Sequence, residues 1–127
     1  MTSSNLSTAP CRMILTLLVQ SLRDVVSAVA LTAVSRGLID LDTPARTYWP
    51  ELRSTATVRE VMSHQAGLPA LRATVSDEVV LDWHAMCAAL ASTEPWWEPG
   101  TAHGYHANTF GFLVGEPVRR AAAAGRF

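Results

Sequence analysis

Apolar residues recur at helical spacing along most of this chain, and the helical stretches are separated by connections rich in proline and glycine. Leu15, Leu18, Leu22, Val25, Val26, Val29 and Ala33 fall three and four apart between about residues 12 and 36. That spacing puts them on one face of an α-helix, or of two helices broken near "QSLRD". Gly37 follows Arg36 as a stop with a cation in the last turn. A second start lies at "TVREVMSHQAGLP", where Thr57 can cap the helix and Glu60 can bond back three residues later. Val58, Val61 and Met62 form its stripe, and Gly67 and Pro69 end it. Residues 79–92 predict a third helix with Val79, Trp83, Met86 and Leu90 on one face. Residues 107–124 predict a fourth, with Phe110, Leu113 and Val114 inward and Pro117 as a kink or early break. The connections "GLIDLDTPARTYWPEL" and "EPWWEPGTAHGY" read as ordered loops, the first with a short strand-like piece at most. The expected fold class is mainly α. Loops this long in a small domain are functional or belong to something larger.

The chain has 127 residues, about one domain's length, and its 49 % hydrophobic and 17 % charged residues are enough for a core. A net charge of −1 gives no footprint for nucleic acid. All 10 basic residues are arginine and none is lysine. Chemistry that needs a lysine is therefore closed to this chain, because a guanidinium does not give up its proton. Cys11 and Cys87 form no CxxC pair. Cys87 in "HAMCAALA" reads as a small buried residue; a disulfide stays open, and nothing argues for an oxidising compartment. The apolar run "MILTLLV" at 13–19 is too short to span a membrane, and Arg23 and Asp24 interrupt it as a secretory signal. It reads as a buried helix, and the expected location is cytoplasmic.

Tyr105 is the first candidate for chemistry. It sits on the bend "GTAHGYHANTF" at the mouth of the last helix, where Gly100 and Gly104 permit backbone angles barred to other residues. A phenol there lies at a surface cleft. Either it packs its ring and ties the loop through its hydroxyl, or it works as a base, which requires a nearby cation because a free phenol titrates near 10. His103 and His106 stand at i, i+3 without a convincing third ligand, so no metal site is expected. His64, at a helix end, either bonds loop carbonyls or is catalytic, and His84 faces solvent. No GxSxG elbow is present. The serines considered are Ser21, Ser27, Ser35, Ser63 and Ser92, with Ser21 at a helix boundary suited to a cap.

Three blocks together resemble the serine beta-lactamase-related family, which includes class C beta-lactamases and penicillin-binding-protein-like esterases. They are "SRGLIDLDTPARTYWPEL" (35–52), "TVREVMSHQAGLP" (57–69) and "EPGTAHGYHANTFGFLVGEPVRR" (98–120). They stand in the family's order, and the likeness covers about residues 21–120. The esterase-like branch matches better, since "PGTAHGYHA" replaces the Tyr-x-Asn of the lactamases. The resemblance implies the helical portion of an α/β beta-lactamase/transpeptidase-like fold, with most of the antiparallel sheet missing. Residues 1–19 are unmatched and residues 20–127 form the partial domain. It also implies an acyl-enzyme mechanism in which a Ser-x-x-Lys serine attacks an ester or lactam carbonyl while lysine and tyrosine handle the proton.

The family tyrosine maps onto Tyr105. Upstream, an ungapped register sets Gln20 at the serine and Arg23 at the lysine; one deletion sets Ser21 and Asp24 there, and this second register also aligns "VVSAVAL". The lysine is absent in both. Ala107 holds the tyrosine motif's Asn position, with Asn108 one place late, and the family's Lys/His-Thr-Gly-like strand is not found. The expected catalytic residues are thus Tyr105 and Ser21, acting on a small-molecule ester or lactam with no cofactor, metal or nucleic acid. Activity of the isolated chain is expected to be weak or nil. The alternatives are a non-catalytic helical binding module and an incomplete reading of a full-length esterase. Trp49, Trp96 and Trp97 are expected to be partly exposed and to offer a surface for self-association.

Overall fold

The computed structural model describes residues 23–72 and 74–125. Among the described residues five helices carry the architecture: α1, described over residues 23–35, α2 (Val58–Met62), α3 (Asp77–Leu81), α4 (Trp83–Ser92) and α5 (Phe110–Gly125), with a 3-10 turn at Ala45–Thr47. Among the described residues there is no named strand, only an isolated antiparallel bridge between Pro44 and Thr57. Nor is any described helix long and apolar enough to cross a membrane. Helix α5 packs against α2 and α4, and α4 against α3.

Helix α1 ends as its sequence dictates. Gly37 takes φ 75°, its N–H bonds the Val34 carbonyl, and the Leu38 N–H bonds the Ala33 carbonyl. These paired bonds are the Schellman closure that a glycine in the left-handed region allows. Its inward face is Val26, Ala30, Ala33 and Val34, whereas Val25 and Val29 are exposed. The small alanines let the helix lie close against the core, which shifts the buried face by one residue from the one expected.

The loop after α1 is ordered by its apolar residues. Ile39, Ala45, Trp49 and Leu52 are buried, and the Ala45 N–H bonds the Ala56 carbonyl. Trp49 is 1 % exposed, which corrects the expectation of a partly exposed indole. It packs into the core formed by this chain's own helices. Trp97 is half-buried and Trp96 is exposed, as expected of both.

Residues 79–92 are not one helix. Asp82, at φ −101° and ψ 113°, closes α3 and opens α4, with its carboxylate accepting the Ala85 N–H. A short side chain that can bond the backbone locally competes with helix continuation, and here it wins. In α5, by contrast, Pro117 causes no early break. Leu113, Val114 and Val118 hold the helix to the core on both sides of the proline, and Phe110, Leu113 and Val114 point inward as the spacing predicts.

Beneath α5 lies a buried carboxylate. Glu116 is 1 % exposed and accepts from Trp83 Nε1 at 2.6 Å, from Arg119 Nε at 3.0 Å and from Arg120 Nε at 2.9 Å. Burial pushes its carboxyl up, but the hydrogen bonds from Arg119, Arg120 and Trp83 outweigh that and hold it at about 2. Gly115 makes room for this arrangement, because a Cβ there would meet Trp83 Cη2 at 2.8 Å. Cys87 is buried as a free thiol, as its apolar setting predicts. Burial and the Glu116 charge push it up to about 12, so it stays protonated.

Candidate active site

The second and third sequence blocks are clamped together, and the clamp fixes the bend that carries Tyr105. It begins with the end of α2. The Thr57 hydroxyl accepts the Glu60 N–H and starts the helix as predicted. The helix stops at Met62, before Gly67, and the residue that enters the left-handed region is His64, at φ 62°. The His64 N–H bonds the Val61 carbonyl and the Gln65 N–H bonds the Glu60 carbonyl. This is again a Schellman closure, now with a histidine where glycine is the usual residue.

The strained position aims the imidazole at the bend. His64 Nδ1 accepts the His106 N–H at 3.0 Å, and the His64 carbonyl accepts the Gly104 N–H at 3.1 Å. The sequence left His64 as a bonder of carbonyls or a catalyst; its ring in fact receives a backbone amide. His106 answers from the other side. Its ring is fully buried, Nε2 accepts the Leu68 N–H at 3.0 Å, and Nδ1 bonds the Gly104 carbonyl. The pattern fixes both tautomers: the proton is on Nδ1 of His106 and on Nε2 of His64. Burial lowers both imidazoles, aided for His64 by the neighbouring His103 and Arg23, so both are neutral at pH 7. Thr109 Oγ1 donates to the Leu68 carbonyl at 2.6 Å, and the Gln65 carbonyl accepts from Gly100 N at 3.0 Å and Trp97 Nε1 at 3.4 Å.

Two glycines serve the bend in different ways. Gly100 takes φ 85°, as expected. Gly104 does not need a left-handed angle; it is required because a Cβ would meet Trp97 Cη2 at 2.7 Å. The outcome is that Tyr105 is held in a surface setting, 56 % exposed. Its ring lies 5.3 Å from the His64 ring, and the Arg23 guanidinium sits over it at 4.6 Å from the centroid. That is within the range of a cation–π contact.

Beside this group opens a cleft of about 410 Å³ lined by Arg23, Asp24, Ser27, Met62, His64 and Phe110. The His64 ring stacks on Phe110 at 5.0 Å. Ser21 lies outside the described residues, and so does Gln20. Ser27 lines the cleft, while Ser35, Ser63 and Ser92 bond carbonyls of their own helices. Arg23 and His64 are the site residues that sequence reasoning undervalued. The ungapped register pointed to Arg23. Nothing in a local pattern marks a histidine for a left-handed turn. His103 and His84 are exposed, and the described residues hold no group of three or more metal-ligating side chains.

The comparisons with known proteins agree with this frame. The beta-lactamase family model matches residues 25–127, and the chain belongs to that family. The esterase/beta-lactamase LipL of Mycobacterium tuberculosis is 43 % identical over 83 residues, covering 62 % of this chain and 19 % of the relative. Among solved structures, a family VIII carboxylesterase is 37 % identical with a TM-score of 0.73, covering 84 % of this chain and 29 % of its own. A penicillin-binding protein homologue from Caulobacter crescentus is 34 % identical with a TM-score of 0.73, covering 81 % and 29 %. The fold is therefore a helical part of the beta-lactamase/transpeptidase architecture, and the chain spans less than a third of the relatives it matches.

Proposed function

We propose that this chain carries the tyrosine side of an acyl-transfer site for esters or lactams and that, alone, it hydrolyses them weakly or not at all. The observation that carries this reading is the clamped bend, which holds Tyr105 under the guanidinium of Arg23, the cation that lines the neighbouring cleft. A nucleophilic serine in this class of site needs a neighbouring base to take its proton. Arg23 offers charge and no base, and the chain has no lysine to replace it. Ser21 is the nucleophile in the gapped register; the ungapped one, favoured by Arg23 lying over Tyr105, leaves Gln20 in that place.

The test is hydrolysis of p-nitrophenyl butyrate by the intact chain, beside Ser21→Ala and Tyr105→Phe. The expected result is a rate near background that neither substitution changes. Robust turnover abolished by Ser21→Ala would refute the inactive reading and establish Ser21 as the nucleophile. A second reading, a helical module that binds a partner or a second copy, is favoured by the exposure of Val25, Leu31, Leu81 and Trp96. Light scattering on the purified chain addresses it: a monomer at all concentrations counts against self-association.

A further inference from the structure

Arg23 is a cation that the described residues leave without a counter-ion. Among the described residues it forms no ion pair, and its Nε is buried with no hydrogen-bond partner. A guanidinium has five N–H donors and stays charged at any ordinary pH. Leaving a buried donor unsatisfied costs stability, so such a group marks a place where something else supplies the acceptor. The guanidinium lies over the Tyr105 ring, and Arg23 lines the 410 Å³ cleft. The other groups there do not pair with the guanidinium. His64 is neutral, Ser27 is a hydroxyl, and Asp24, the one anion in the lining, is exposed and forms no ion pair with Arg23. Met62 and Phe110 add apolar wall to the cleft.

We propose that this cleft binds a small carboxylate, with the Arg23 guanidinium gripping the carboxylate and Met62 and Phe110 receiving a short apolar tail. The carboxylate supplies the counter-ion that the described residues do not give Arg23, and planar two-oxygen geometry matches the guanidinium fork. The site then holds an acid where a hydrolytic site would release one. The inference goes beyond the function proposed above and holds whether or not the chain turns over an ester.

The experiment is an NMR titration of the full chain, read at the arginine Nε–H resonances, with sodium butyrate as probe and butyramide as its uncharged counterpart at matched ionic strength. Butyrate should give a saturable shift of the buried Nε–H with a Kd on the order of 1 mM, and butyramide none. Arg23→Gln should weaken butyrate binding roughly ten- to a hundred-fold, since a charge-assisted bond is lost. Arg23→Lys should weaken it less, keeping the charge without the fork. Arg72→Gln should leave it unchanged, because Arg72 is engaged elsewhere by the Glu94 and Pro95 carbonyls. Absence of saturation by roughly 50 mM butyrate would overturn the proposal. Equal shifts with butyramide, or undiminished binding in folded Arg23→Gln, would do the same. Should Arg23→Gln not fold, the butyrate–butyramide pair on the native chain and the Arg23→Lys variant still decide it.

Discussion

Replacing His64 separates two opposing energies that meet at one residue. The backbone at φ 62° costs a non-glycine residue about 1–2 kcal/mol, which a glycine would recover. Against this, the ring accepts the His106 N–H next to a fully buried side chain, and leaving that donor unpaired costs about 1–3 kcal/mol. Stacking on Phe110 adds about 0.5–1.5 kcal/mol. His64→Gly should therefore destabilise by about 1–2 kcal/mol, the lost contacts outweighing the relieved strain. His64→Ala loses the same contacts and keeps the strain, so it should fall about 1 kcal/mol further. His64→Asn should lie nearest the native chain, since asparagine tolerates the left-handed region and its carbonyl can accept the amide. Urea denaturation followed by circular dichroism measures the order, and each kcal/mol corresponds to roughly 4 °C in Tm for a chain of this size. A glycine variant as stable as the native chain would refute the claim that the ring bond exceeds the strain. Equal stability of the alanine and glycine variants would show that the strain itself is absent.

Two other outcomes follow from the same geometry. Gly67→Ala should destabilise by about 3 kcal/mol, because a Cβ there would lie 2.5 Å from the Trp97 carbonyl oxygen on top of a left-handed angle; Gly37→Ala, equally left-handed with open space around it, should cost about 1 kcal/mol, and equilibrium denaturation of the pair checks the difference. For pH, the folded pKa values of His64 and His106 lie below the unfolded value, so the unfolded chain takes up protons first; stability should be full above about pH 6.5 and fall as the pH drops below it, and His106→Gln should flatten that slope between pH 6.5 and 5, before the carboxylates Asp42, Glu51 and Glu116 begin to titrate.

What the sequence disclosed was mostly local. The Gly37 stop, the Thr57 cap and the inward face of α5 each depend on residues within one or two turns, and a pattern of that reach is visible in the letters. Asp82 was misread because the apolar spacing of Val79, Trp83, Met86 and Leu90 runs straight through it, and one carboxylate bonding Ala85 decides against the continuous helix. His106 shows the limit most plainly. Its i, i+3 spacing from His103 invites a shared-face reading, yet residues 102–106 are not helical, and its ring is used by Leu68, 38 residues away. Trp49 was expected to be partly exposed because the sheet it would pack on is missing, but it is buried in one core cluster with Ile39 and Leu52. The family could be read from three blocks in order; the cation above Tyr105 could not, since one deleted residue in the alignment exchanges Arg23 for Asp24.

The bonds that tie residues 64–68 to residues 104–109 share one chain closure. Leu68 to His106, His106 to His64 and Thr109 to Leu68 each join positions 38 to 42 apart. The entropy of bringing such distant segments together grows only with the logarithm of the loop and is spent on whichever bond forms first. The others then form across a gap already closed. The clamp is consequently cooperative: the loss of a single bond leaves the rest at high local concentration. The amide protons of Leu68 and His106 should exchange with solvent in one step, at one rate-setting opening, and Tyr105 keeps or loses its place with them.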